Sequence, residues 1–272
     1  MPEGDTLARI ADVLRPLLVG QKVTTARGRP GGARLDLVVG STVQNVESRG
    51  KHLLIGFSNR MTLHTHLAMT GEWHRYRPGE RWRQPADRAV AVIETPQTTA
   101  VAFNAPTVEL IDTRALALHP RLRRLGSDVS KQEFDPNSAV AALRDPSRAV
   151  ETIGDALLDQ RALAGLGNVY RSELCFMERI NPFTLVGAVS DETLERLVVR
   201  GANLVKVNSR GGARVTTSAG TPSRTYVYGR TGRPCLRCGT LIRSQVVRSA
   251  SYSANPRRVY WCPNCQPADK YE

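Results

Sequence analysis

The chain has 272 residues, 41% of them hydrophobic, which is enough for two domains with cores of their own. Its net charge is +13 and its pI about 10.1, and residues 201–272 hold twelve Lys and Arg against two acids, so a polyanionic partner, nucleic acid first, is expected. No apolar run approaches the ~20 residues of a membrane span and no signal peptide heads the chain, which predicts a cytoplasmic protein without a membrane partner.

The opening Met1-Pro2-Glu3-Gly4-Asp5-Thr6 carries chemistry if the initiator methionine is removed. Pro2 would then present a secondary amine, and an N-terminal amine with a pKa near ~8 is partly unprotonated at neutral pH. Attack by such an amine on a sugar C1′ gives an iminium, and Glu3 stands beside it as proton donor or acceptor. An inert chain end is the plain alternative. Residues 5–19 predict an amphipathic helix with Leu7, Ile10, Leu14 and Leu17 on one face, shortened near Pro16 and stopped at Gly20.

From 22 to 112 the pattern predicts seven short strands, at Thr42–Glu47, His52–Phe57, Met61–Leu67, Glu72–Arg77, Arg88–Glu94, Ala100–Asn104 and Thr107–Asp112. Strands of that length and spacing suggest a β-sandwich. Helices are predicted over Pro136–Leu143, Ala149–Leu158, Tyr170–Arg179 and Asp191–Val207, the last with Asp191 as its N-cap. Residues 208–224, NSRGGARVTTSAGTPSR, read as a mobile basic loop without a core.

Four of the five cysteines fall in two pairs, Cys235-x2-Cys238 and Cys262-x2-Cys265. Paired knuckles of this spacing predict one structural zinc ion with four thiolate ligands and no open catalytic position. All five histidines lie at or before His119, so none competes as a ligand. Between the pairs, Ile242–Arg248 and Ser251–Trp261 predict a basic β-hairpin. The fifth cysteine, Cys175, sits among Leu174, Phe176 and Met177 and reads as core.

Several of these stretches together resemble the formamidopyrimidine-DNA glycosylase/endonuclease VIII family of base-excision repair enzymes. They are the opening Pro2-Glu3-Gly4, Ser48-Arg49-Gly50-Lys51-His52-Leu53-Leu54, His66-Leu67-Ala68-Met69-Thr70-Gly71, the segment Leu163 to Glu173 (LAGLGNVYRSE), and Tyr260-Trp261-Cys262-Pro263-Asn264-Cys265-Gln266. The resemblance implies an α+β multidomain fold: an N-terminal β-sandwich domain over 1–115, a helix-two-turn-helix domain with a lesion loop over 116–224, and a zinc β-hairpin over 225–272, with DNA gripped between them.

It also implies roles for single residues. Pro2 would be the Schiff-base nucleophile and Glu3 its acid–base partner. Lys51 would reach the DNA near the lesion, where a solvated turn lysine is the alternative. Asn168 would bind phosphate at a helix start, where a plain N-cap is the alternative. Arg257 would clamp the phosphates flanking the damaged base, with the neighbouring Arg258 mattering less. Met69 would fill the space left by a flipped nucleotide, against simple core burial. The partner would be damaged DNA, the protein a monomer associated with the nucleoid.

The formamidopyrimidine branch supplies stacking residues from a loop with an Arg and a Phe. Phe103 to Glu109 is short here and lacks them, which favours the endonuclease VIII branch and oxidised pyrimidines; HLAMTG leans the other way. The family opening PEGPE is PEGDT here, so Thr6 stands where a carboxylate is usual. Two other readings remain at this stage: a glycosylase for 8-oxoguanine and formamidopyrimidines, and a non-catalytic zinc-dependent protein that binds damaged DNA.

Overall fold

The computed structural model describes residues 1–248 and 256–268, arranged in two compact units that divide after Arg124. The first begins with helix α1 (Gly4–Leu18), whose buried stripe is Leu7, Ala11, Leu14 and Leu18. That stripe is rotated by about one residue from the predicted face, leaving Leu17 at the margin. Pro16 does not shorten the helix. It sits exposed in the last turn, where the only donor it removes would have served Asp12 on the solvent side.

Eight strands follow: β1 (Thr25–Gly28), β2 (Val43–Arg49), β3 (His52–Phe57), β4 (Met61–His66), β5 (Glu72–Tyr76), β6 (Ala89–Glu94), β7 (Thr99–Phe103) and β8 (Thr107–Asp112). They form two antiparallel four-stranded sheets, ordered β1-β6-β7-β5 and β2-β3-β4-β8. Alternation sends Leu53, Ile55, Phe57 and Leu63 of one sheet and Ala91, Ile93, Ala100 and Ala102 of the other into a shared core, with α1 packed beside β2. The expected sandwich is present. Strand β1 was not expected, because Thr-Ala-Arg-Gly buries only Ala26 and belongs to a sheet edge.

The second unit contains β9 (Ser127–Asp128), α2 (Pro136–Leu143), α3 (Ile153–Ala156), β10 (Leu163–Ala164), α4 (Asn168–Met177), α5 (Asp191–Ser209), β11 (Arg243–Val247) and β12 (Arg257–Trp261). Short β9 and β10 pair in parallel, and the helices close over Ala139, Leu143, Leu157, Leu174, Leu194, Leu197 and Val198. Strands β11 and β12 pair antiparallel as expected; residues 249–255 between them, including the predicted start of the second strand at 251, lie outside the described residues.

Three sequence expectations change. The helix over Ala149–Leu158 is a single turn, Ile153–Ala156, because the backbone before it bonds elsewhere: Gly187 N–H donates to Ala149, Val186 N–H to Glu151 and Ile153 N–H to Thr184. The N-cap of α5 is Ser190, whose hydroxyl accepts from the Thr193 amide, and Asp191 is the first helical residue. The 208–224 loop is tied down: the Asn208 side chain bonds both ways with Val215, and Thr216 is buried.

Candidate active site and cysteine centre

In the first unit, Glu3 is the N-cap of α1; its carbonyl accepts from the Thr6 and Leu7 amides at 2.9 and 3.2 Å. Glu3 and Asp5 are both buried, and the Thr6 hydroxyl donates to Asp5 Oδ1 at 3.4 Å. Pro2 is half-buried ahead of them. At the other end of α1, Arg15 Nε donates to the Val46 carbonyl and the Gly20 amide to that of Val43. A helix rises ~1.5 Å per residue and a strand ~3.3 Å, so α1, running back along β2, begins level with the turn that follows β2.

That turn is Gly50-Lys51. Arg49 pairs with His52 across it, which makes it a two-residue hairpin, and Gly50 takes φ +55 at its first position, where a side chain would be strained. Because β3 begins where β4 ends, the β4–β5 turn, Leu67–Gly71, lies at the same end of the sheet. Met69 is 72% exposed at its tip, not in the core, and Ala68 beside it holds φ +48. Gly71 is required here: a Cβ would lie 2.6 Å from the Leu67 carbonyl oxygen. Pro2, Glu3, Lys51 and Met69 thus gather at one end of the sandwich. Phe103, by contrast, is fully buried in β7, and the link to β8 is only Asn104-Ala105-Pro106.

In the second unit the N-cap of α4 is Gly167, and Asn168 is the first helical residue. The Asn168 amide donates to the Arg258 carbonyl at 2.9 Å, and its Oδ1 accepts from the buried Arg171 guanidinium. The helix start and β12 are therefore laced together beside Arg257. Arg258 turns away, donating through Nη1 to Ser244 Oγ at 3.0 Å.

The four cysteine sulfurs all lie within 4.8 Å of one another, with Cys238–Cys262 at 3.5 Å and Cys235–Cys265 at 3.9 Å. Tetrahedral ligands ~2.3 Å from a zinc ion stand ~3.8 Å apart, so the donor set fits. Burial, and then the neighbouring sulfurs, push the Cys265 thiol up to about 12 when no cation is present. Four thiolates this close repel one another, and a cation held among them would relieve that repulsion. Cys175 is in the core, where burial likewise pushes its thiol up to about 12.

Two groups escaped the sequence reading. Glu173, the last letter of the LAGLGNVYRSE segment, is fully buried and accepts from the amides of Tyr226, Val227 and Tyr228 and from the Thr216 hydroxyl. Burial pushes its carboxyl up while those four donors pull it down. The second group is a cluster of His52, His64, His66, Glu109 and His119 in the first unit.

Residues 1–117 match the formamidopyrimidine-DNA glycosylase N-terminal domain, and residues 125–218 match the formamidopyrimidine-DNA glycosylase H2TH domain. A Streptomyces coelicolor protein named probable endonuclease 8 2 is 40% identical, covering 98% of this chain and 94% of its own. The Mycolicibacterium smegmatis DNA-(apurinic or apyrimidinic site) lyase Nei2 is 38% identical, covering 98% of this chain and all of its own. Among solved structures, the Lactococcus lactis formamidopyrimidine DNA glycosylase bound to DNA with an AP site shares the fold, with a TM-score of 0.78 at 22% identity over 98% of this chain and 100% of that one. The endonuclease 8 relatives lie at the higher identities, as the short Phe103–Glu109 stretch leads one to expect. By sequence along almost its whole length, and by fold, the chain belongs to the formamidopyrimidine-DNA glycosylase/endonuclease 8 family.

Proposed function

We infer that the chain is a base-excision repair DNA glycosylase and AP lyase acting on oxidised pyrimidines. The observation that carries this is the grouping of Pro2 and the buried Glu3 at the same end of the sandwich as the Gly50-Lys51 and Met69 turns. The working parts are 1–115 for chemistry, 116–224 and 225–272 for holding DNA.

The mature chain must begin at Pro2, since an amide nitrogen has no free lone pair. Met1 is exposed, as removal requires. Once the damaged nucleotide is rotated out of the helix, at a cost of a few kcal/mol, the Pro2 nitrogen attacks C1′. The N–C1′ bond forms and the bond from C1′ to the base breaks, the base leaving with a proton. The nitrogen then gives up its own proton, the C1′–O4′ bond breaks with O4′ taking up a proton, and the nitrogen lone pair closes onto C1′ as an iminium. That cation acidifies C2′; loss of a C2′ proton and departure of the 3′ phosphate break the strand. Water then hydrolyses the iminium and frees Pro2. Glu3 is the group placed to move these protons. Met69 fills the vacated space in the duplex, Lys51 reaches the DNA beside the lesion as part of the catalytic group, and Asn168 and Arg257 hold phosphates around it.

The cysteine cluster holds one zinc ion, supported by the sulfur spacing and an all-thiolate donor set. Its task is to staple the hairpin that carries Arg257; no step of the chemistry passes through it.

Borohydride trapping on duplexes bearing thymine glycol, 5-hydroxyuracil, 8-oxoguanine or an abasic site tests the proposal. The expected result is a covalent adduct with the pyrimidine lesions and the abasic site, lost in Pro2→Gly. Absence of any adduct from protein verified to start at Pro2 would make this a binding protein instead. A preference for 8-oxoguanine would move it to the purine branch.

A further inference from the structure

Four of the five histidines converge on one face, with His52 and His64 buried and Glu109 at its solvent-exposed edge. In the sheet register His52 stands opposite His66 and His64 opposite Glu109, so alternation puts all four on the side of β2-β3-β4-β8 away from the sandwich core. His119 reaches the same place from beyond the short 3-10 turn Thr113–Leu118.

The hydrogen bonds assign the ring protons of His119, His64 and His52 in turn. The Leu122 amide donates to His119 Nδ1 at 3.3 Å, so the His119 proton is on Nε2, which donates to Glu109 Oε2 at 3.1 Å. His64 Nδ1 donates to the same oxygen at 2.7 Å. Its Nε2 is then an acceptor, 2.8 Å from His52 Nδ1, which must donate. Burial first, then the neighbouring His66 and His64, with Arg121 and His119 behind them, push His52 down to about 2. Burial likewise lowers His64. Although burial opposes it, donation from His64 and His119 holds the Glu109 carboxyl below its usual range. The chain is therefore neutral imidazoles ending on one carboxylate.

A metal on His64, Glu109 and His119 fits this less well. His119 Nε2 would have to shed its proton to Nδ1, which would then confront the Leu122 N–H that now donates to it.

We propose that Glu109, His64 and His119 are positioning residues that lock His52, the residue closing the Gly50-Lys51 turn, and so hold Lys51 in place for catalysis. His52 pairs with Arg49 directly across that turn, and His66, its opposite neighbour, leads into the Met69 turn. One carboxylate thus bears on both turns of the candidate active site. The proposal rests on the reading of Lys51 given above.

Two measurements test it on the intact zinc-loaded protein. Nitrogen-15 NMR of the imidazole rings should find His52 and His64 protonated on Nδ1 and His119 on Nε2, with His52 and His64 free to change tautomer in Glu109→Gln. The Nε2–H form at His52 in the wild type overturns the chain whatever Lys51 does. A double-mutant cycle then reads single-turnover nicking of abasic DNA. Glu109→Gln should slow it about tenfold with Lys51 present and less than about twofold in Lys51→Ala. Equal losses in both backgrounds would show a merely structural role and overturn the proposal. A fully active Lys51→Ala would instead overturn the reading of Lys51 itself. Should Glu109→Gln fold poorly, His119→Gln runs the same cycle. Zinc titration should end at one ion per chain, and a second equivalent lost in His119→Gln would also overturn it.

Discussion

Met69 separates two kinds of substrate. Its side chain is 72% exposed on a turn whose backbone is held by Ala68 at positive φ and by the close approach of Gly71 to Leu67. An exposed apolar tip on a rigid turn suits insertion into a base stack, and only a duplex leaves a gap to fill. Met69→Ala should therefore slow excision of 5-hydroxyuracil from a duplex ~tenfold or more while leaving a single-stranded oligonucleotide nearly unaffected; equal slowing on both would refute the wedge. His52 makes a different prediction. Held neutral down to about 2, it leaves the unfolded chain to bind the extra proton below its ordinary 6.5. For a base with a depressed folded pKa, stability is level above 6.5 and falls as the pH drops toward 2. From pH 7 to 5 the loss is about 2 kcal/mol. Urea midpoints should fall over that range and fall less steeply in His52→Gln, where the lowered His64 still contributes; a flat wild-type profile would contradict the buried neutral ring. Part of this was legible in the sequence, since the family resemblance alone marks Met69 as a wedge. Without that resemblance Met69 read equally as core, and the histidines became a cluster only through the register of β3, β4 and β8, which no local pattern encodes.

Helix α4 ties the second unit together. Every residue from Asn168 to Phe176 is buried, and each part of the helix holds a different segment. Its start bonds β12 through Asn168, its middle collects Tyr226 to Tyr228 and Thr216 through Glu173, and at its end the Arg237 guanidinium donates to the Phe176 carbonyl at 3.1 Å. Glu173→Ala would leave three backbone amides without an acceptor, while the Thr216 hydroxyl could still turn to the Arg224 carbonyl, and an unsatisfied buried donor costs ~1–3 kcal/mol. A loss of about 3 kcal/mol or more is expected by urea denaturation, and a change under ~1 kcal/mol would show that water replaces the carboxylate freely. Metal removal acts on the same helix from the other side. Gln266 bridges the knuckle to the segment just past the helix, accepting from the Cys262 amide and donating to the carbonyl of Ile180, whose own amide donates to Cys175 in α4. Structural zinc supplies much of the folding energy of small modules, so chelation should abolish DNA binding and lower the melting temperature, and added zinc should restore both; binding that survives complete zinc loss would remove the ion's stapling role. The LAGLGNVYRSE segment was visible in the sequence, but Glu173 carried no sign of its partners about fifty residues on. Helix α3 is shorter than its sequence predicts for a related reason: the Ala149 and Glu151 carbonyls accept from the Gly187 and Val186 amides, and the Ile153 amide donates to the Thr184 carbonyl.

Charge is the property of the whole chain that its sequence states most directly, with +10 of the net +13 lying after residue 200. If that charge grips phosphates, binding must release counterions, and log K falls with log salt at a slope of ~0.9 per phosphate contacted. A grip on six phosphates predicts a slope of about −5 and roughly a thousandfold loss of affinity between 50 and 200 mM salt. Three variants then distinguish kinds of contact. Arg257→Ala should lower the slope by about 1 and weaken abasic, pyrimidine-lesion and undamaged DNA alike, because a phosphate carries no sequence information. Arg258→Ala should leave the slope unchanged, since its guanidinium is turned to Ser244. Asn168→Ala should also leave the slope unchanged, because a neutral amide displaces no counterion. It should nevertheless weaken binding, since the amide secures β12 through the Arg258 carbonyl and sits where the α4 dipole attracts an anion. Equal slope changes for Arg257 and Arg258 would mean that the hairpin is a general basic surface and that no single position on it was built as the clamp.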